Sequence, residues 1–208
     1  MGRVMSEPLL SWIIGSFNRP NSMRTCLSSI IDQTFTDWEA IVTDNSDDPM
    51  CRAKIELLCR MDPRIRYEWT HDNALTNFPR VGIPSLYDAA EIGVKMTTGK
   101  YLMFPNCDSI YAKYFAERVI PFAEEGNFEL VICNFVQGRP DMPYFYFDAY
   151  PEACRCDKTA YLIRRERFPE QWPGKIDMYG VADGLLINDL MAQGIRHGRF
   201  TQCMVVHS

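Results

Sequence analysis

The chain has 208 residues, of which 47% are hydrophobic and 24% charged, with a net charge of −5. That length suits one domain with a substantial core. The negative charge, with no basic stripe against it, argues against a nucleic-acid partner, and solubility alone explains its size.

In chain order, Leu9 to Ile14 reads as a buried first strand. Gly15 to Pro20 breaks it, with glycine and proline as punctuation. Met23, Cys26, Leu27, Ile30 and Ile31 then mark one face of a helix. Trp38 to Thr43 is a second strand, ending in the polar cluster Asp44-Asn45-Ser46-Asp47-Asp48. Met50 to Arg60 is expected as a helix and Arg66 to Thr70 as a strand, before an aperiodic loop from His71 to Pro84.

Leu86, Ala89, Ala90, Gly93 and Val94 form another helical stripe, with Gly99 placed as its C′ residue. Tyr101 to Phe104 is a strand stopped by Pro105, Ala112 to Glu125 a helix, and Glu129 to Phe135 a buried strand. After Gly138 the aromatic cluster Tyr144, Phe145, Tyr146, Phe147 and Tyr150 reads as core, an irregular strand or a pocket wall. Thr159 to Ile163 is a strand, Val181 to Gln193 a helix closed by Gly194, and Phe200 to His207 a final strand. This alternation predicts an α/β fold with helices on both faces of a sheet.

No apolar run approaches the ~20 residues needed to span a bilayer. Leu9 to Ile14 is too short for a signal core and lacks a small-residue cleavage site. A cytoplasmic location is expected, with peripheral membrane association left open. The eight cysteines include no Cys-x-x-Cys pair. Cys154-Arg155-Cys156 does not match zinc spacing, and reduced thiols are expected.

The segment Ser85 to Ser109, SLYDAAEIGVKMTTGKYLMFPNCDS, reads as helix, glycine stop, strand and a polar elbow carrying Asn106 and Asp108. The carboxyl end of a sheet strand is where α/β proteins place ligands. Spacing alone favours a capping turn before the helix near Ala112. Asp183 opens a helix, followed by Leu186, Ile187 and Leu190 at i+3, i+4 and i+7. Its carboxylate is either a cap or a functional group kept ionised by the helix dipole.

Three landmarks carry a resemblance. SWIIGSFNRPNSMRTCLSSIIDQTFTDWEAIVTDNSDD resembles the opening of the family 2 glycosyltransferases. The Ser85 to Ser109 segment is similar to that family's Tyr-Asp-Ala helix leading into a DxD-type metal motif. VADGLLINDLMAQG with the terminal VVHS resembles its acceptor-side region. The three occur in order over nearly the whole chain.

The resemblance implies a GT-A fold: a mostly parallel Rossmann-like sheet, with helices on both faces and a small C-terminal acceptor region. The expected layout is one domain, 1–208, with a nucleotide-sugar half to about residue 110 and an acceptor half from about 111. The implied activity is inverting, metal-dependent transfer of a sugar from a nucleotide-diphosphate donor, UDP-linked in first expectation. A hydroxyl of a saccharide, lipid-linked or protein acceptor would receive it.

Ser16, Phe17, Asn18, Arg19, Asp44, Asn73 and Asn106 are the implied nucleotide contacts. Asp108 and His207 would hold Mn²⁺ or Mg²⁺, and Asp183 would be the base. The chain departs from the pattern at Gly15, Asn106 and Ala182, where the family carries proline, aspartate and glutamate, and it lacks the Gln-x-x-Arg-Trp signature of processive members. The alternative is a catalytically degenerate nucleotide-sugar-binding or regulatory protein on the same fold.

Overall fold

The computed structural model describes residues 8–70, 86–138, 143–152, 155–173 and 182–207. The N-terminal half alternates strand and helix. β1 (Leu10–Ser16), α1 (Pro20–Ile31), β2 (Trp38–Asp44), α2 (Pro49–Cys59), β3 (Ile65–Trp69), α3 (Leu86–Met96) and β4 (Tyr101–Met103) follow in order. Both α1 and α2 start on a proline at their first turn, where its missing N–H costs nothing. Asp48 caps α2 by accepting from Met50 N–H at 2.8 Å.

Then come β5 (Ser109–Tyr111), α4 (Phe115–Glu125), β6 (Leu130–Cys133), β7 (Phe135–Gln137) and β8 (Phe145–Phe147). β9 (Tyr161–Arg164), α5 (Ala182–Ala192), β10 (His197–Phe200) and β11 (Val205–His207) complete the chain. The large sheet has the order β10-β6-β9-β4-β1-β2-β3. Only β9 runs antiparallel to its neighbours β4 and β6. β1 is buried throughout and β2 at every position but Glu39, because both sheet faces are covered. Their core includes Trp12, Ile13, Ile14, Ile41 and Val42.

A second, four-stranded sheet, β5-β11-β7-β8, lies over the end of the first. The expected strand Glu129–Phe135 is therefore two strands in different sheets, parted at Asn134. Phe200–His207 divides likewise into the end of β10 and β11. Asn134 makes this switch possible, because its side chain donates to Thr201 O at 3.2 Å and accepts from Ala149 N–H at 3.0 Å. Those bonds satisfy backbone groups that the broken ladder leaves over.

Gly99 does not cap α3, which ends at Met96. It instead lets the chain pass against β1, since a Cβ there would lie 2.5 Å from Ser11 Oγ and 2.9 Å from the Leu10 backbone. Gly194 does close α5, with φ of +70°. Tyr144, Phe145 and Tyr146 are exposed, not core. Among the described residues no helix is long and apolar enough to cross a membrane.

Candidate functional site

The carboxyl ends of the parallel strands meet the small sheet, and most of the sequence-predicted residues gather there. A bridge between Gly15 and Asn106 sets the loop after β1 beside the polar elbow after β4. Asn18 takes a left-handed φ of +53°. It ties this loop to the one after β2: its N–H donates to Ser46 Oγ at 2.8 Å and its Nδ2 to Asp47 Oδ1 at 2.6 Å. Asparagine tolerates that conformation better than most residues. Phe17 is half-buried and Arg19 exposed on the open side of this loop, while Ser16 is buried beneath it.

Asp44 has an inward role. It is fully buried, with Oδ1 accepting from Ser46 Oγ at 2.6 Å and Oδ2 accepting from Tyr67 O–H at 3.0 Å. These bonds tie the end of β2 to the loop that follows it and to β3. Asn73 lies outside the described residues, as do His71 and Asp72.

The elbow turns at Asn106, whose N–H donates to Ser109 Oγ at 3.2 Å. Asp108 Oδ2 accepts from Arg19 Nη1 at 3.0 Å, with the Arg19 side chain 62% exposed and Asp108 only 14%. The residues after Asp108 enter β5, not a helix. β11 pairs with β5 and places His207 opposite Ser109, and His207 Nδ1 lies 3.2 Å from Asn106 Nδ2. The penultimate histidine is thus part of a sheet at the elbow.

Asp183 sits in the first turn of α5, next to Ala182, yet it does not cap its own helix. Its Oδ2 accepts instead from the Lys158 backbone N–H at 3.0 Å. Burial first, and the Asp157 carboxylate second, raise its pKa to about 6, while Lys158 and the Tyr87 hydroxyl pull the other way. The carboxylate is still ionised at neutral pH, as expected at a helix N-terminus, although burial works against that charge.

Residues that the sequence reading passed over complete the site. Lys158, in the 3₁₀ turn Lys158–Ala160 before β9, is buried, and its ammonium contacts Asn106 Oδ1 and the Phe104 carbonyl. Trp172, also buried, donates its indole N–H to Ala182 O at 3.1 Å and packs on Tyr87 and Phe104 with centroids 4.9 and 5.0 Å apart. It fixes the start of α5 to α3 and to the end of β4. A lysine flanking an apolar strand ordinarily reads as solvated, so only the KTAYLI run itself hints at it.

Among the described residues no three His, Cys, Asp or Glu side chains converge as a metal-binding group. A hard cation such as Mg²⁺ commonly takes one or two carboxylates and completes its shell with substrate phosphates and water. Asp108 fits that requirement, since its partner Arg19 is an exposed and displaceable side chain. Beside it, the Asn106 amide oxygen meets Lys158, and the His207 Nδ1 faces the amide nitrogen.

Comparison with known proteins agrees with this architecture. The model of the family described as "Glycosyl transferase family 2" matches residues 11–76. An uncharacterised glycosyltransferase of Rickettsia conorii is 28% identical over 127 residues, 61% of this chain and 19% of the relative. The UDP-Glc:alpha-D-GlcNAc-diphosphoundecaprenol beta-1,3-glucosyltransferase WfgD of Escherichia coli is 26% identical over 142 residues, 65% of this chain and 51% of the relative. The chain therefore spans from about a fifth to about a half of these relatives' lengths.

Among solved structures, S. aureus TarS 1–349 in complex with UDP superposes with a TM-score of 0.71 at 16% identity, over 95% of this chain and 59% of that one. The mannosyltransferase PcManGT from Pyrobaculum calidifontis, in complex with GDP-Man and Mn²⁺, gives 0.69 at 15% identity, over 98% and 57%. Residues 11–76 are thus similar to the family 2 glycosyltransferases, and the fold is the mixed α/β, GT-A architecture of these solved structures.

Proposed function

We propose that the protein is an inverting glycosyltransferase that moves a sugar from a nucleotide-diphosphate donor, UDP-linked in the first instance, to a hydroxyl acceptor. The observation that carries this reading is the convergence of the β1 loop, the Asn106–Asp108 elbow, His207 and Asp183 at one end of the sheet. The nucleoside would lie against Phe17 and Asn18, with Asp44 and Ser16 shaping the floor and Arg19 beside the phosphates. Asp108 would hold Mn²⁺ or Mg²⁺ jointly with the donor's phosphate oxygens, and such a cation supplies charge neutralisation on the leaving diphosphate when bound.

Asp183 would take the acceptor hydroxyl's proton on the face opposite the leaving group, as one base must in an inverting displacement. A carboxylate with a pKa near 6 is ionised at neutral pH yet basic enough to accept a proton in the transition state. Lys158 N–H fixes one oxygen of Asp183, and Trp172 fixes the helix that carries it. Residues from about 111 onward would form the acceptor side, where a saccharide, lipid-linked or protein acceptor docks. The exposed Phe145 shares a sheet row with His207 through Gln137, which puts an aromatic face on that side.

Calorimetric titration with UDP, with and without Mn²⁺, tests the reading. Binding strengthened by Mn²⁺, followed by turnover of a UDP-sugar, is expected. Nucleotide binding without turnover of any donor would favour the degenerate binding protein, and failure to bind UDP, GDP or dTDP would overturn the reading.

A further inference from the structure

Lys158 is 7% exposed, and its ammonium meets the Phe104 carbonyl oxygen at 3.4 Å and Asn106 Oδ1 more closely still. An ammonium has donors and no acceptor. The Asn106 atom facing it must therefore be the carbonyl oxygen, which fixes the orientation of the amide. The amide nitrogen is then the group turned to His207 Nδ1, at 3.2 Å. That nitrogen only donates, so Nδ1 accepts and the ring proton sits on Nε2. Pairing of β11 with β5 on one side and β7 on the other holds the histidine backbone in place.

We propose that Lys158 is a positioning residue of the donor's phosphate site: through Asn106 it holds His207 as an Nε2–H donor to the diphosphate, in place of a metal-ligating imidazole. A ligating nitrogen must offer a lone pair, and in this arrangement Nδ1 is occupied and Nε2 carries the proton. The arrangement also accounts for the amide at position 106. A carboxylate there would accept from Lys158 and from His207 alike, which would draw the ring proton to Nδ1. The role in phosphate binding rests on the nucleotide-diphosphate reading above; the proton's position on the ring does not.

The test uses the full 208-residue chain, labelled with ¹⁵N, and long-range proton–nitrogen spectra of its three histidines without nucleotide. His207→Gln assigns the signal. The expected wild-type His207 carries its proton on Nε2, Asn106→Asp moves it to Nδ1, and Lys158→Met removes the preference. Lys158→Met keeps the apolar stem and the backbone N–H on Asp183; should it fail to fold, the wild-type and Asn106→Asp spectra decide alone. A wild-type proton on Nδ1, or an unchanged ring in Asn106→Asp, overturns the proposal.

Titrations with UDP and with uridine supply the second readout. Lys158→Met is expected to weaken UDP by about tenfold, the equivalent of one charge-assisted hydrogen bond, and to leave uridine unchanged. Equal effects on both ligands, or none on UDP, overturn the phosphate role. A wild type that binds neither ligand defeats the donor reading instead, and the spectra still judge the relay.

Discussion

The backbone N–H of Lys158 donates to Asp183 Oδ2 at 3.0 Å, while the side chain of the same lysine reaches Asn106. One residue thereby spans the proposed base and the donor elbow. The two halves of the reaction centre are held by a short turn, not by a flexible loop.

Asp183→Asn is expected to stabilise the fold at neutral pH. The folded pKa of about 6 lies above the unfolded value of about 3.9, so the native state binds the extra proton between them. The carboxylate's contribution is therefore unfavourable above about pH 6 and relaxes as the pH falls toward 4. A higher Tm for the variant at pH 7.5, shrinking to no difference near pH 4, is the expected result in scanning calorimetry. Equal Tm values at pH 7.5 would mean that burial does not strain this group.

Transfer itself is expected to follow the ionised form. The rate under kcat/KM conditions should fall by about tenfold per unit below an apparent pKa near 6. Asp183→Asn should lose turnover while retaining UDP binding. A flat profile from pH 5 to 8 would remove Asp183 from the role of base.

Asp108→Asn should separate binding from folding. The ion pair it breaks involves an arginine whose side chain is 62% exposed, so its loss should shift stability by less than about 1 kcal/mol. UDP affinity in the presence of Mn²⁺ should nevertheless fall by at least about tenfold, the signature of a lost phosphate–cation site. Unchanged affinity would place the diphosphate elsewhere.

Trp172→Ala tests the support beneath the base. The ring is 1% exposed and wedged among Tyr87, Phe104 and Phe168. Removing it should cost about 3–5 kcal/mol, which at this chain length lowers Tm by roughly 10 °C. Trp172→Phe keeps the packing and loses only the bond to Ala182 O, so it should retain most of the stability. Activity in the phenylalanine variant then reports how far that one bond aligns Asp183.

The strongly periodic elements were readable from the chain itself. The stripe Met23, Cys26, Leu27, Ile30 is buried as the 3.6-residue period requires, and Leu10 to Ile14 is the buried strand that its largely apolar run implies. Asn106, Asp108, Asp183 and His207 do assemble. The switch of sheets at Asn134 was not readable, because apolar alternation says which face a strand buries but not which sheet it joins. Nor was Lys158, whose partners are a carbonyl and an amide brought close only by the fold. Asp44 stands at the strand end that the sequence indicates, and its bonds to Tyr67 and Ser46 were not readable because they join residues from two different strands and a loop.

The crossing from the large sheet to the small one has a further meaning. β6 and β10 pair in parallel up to Cys133 and Phe200, and β7 and β11 resume the partnership at Val136 and Val206. One chain makes the passage through Asn134 alone, the other through the residues from Thr201 to Met204. Because side chains alternate faces along a strand, the register of β11 against β5 and β7 decides which face of the small sheet carries His207. A slip of one residue in that register would move the histidine to the opposite face. The pairing that closes the small sheet therefore also fixes the side from which the imidazole meets Asn106.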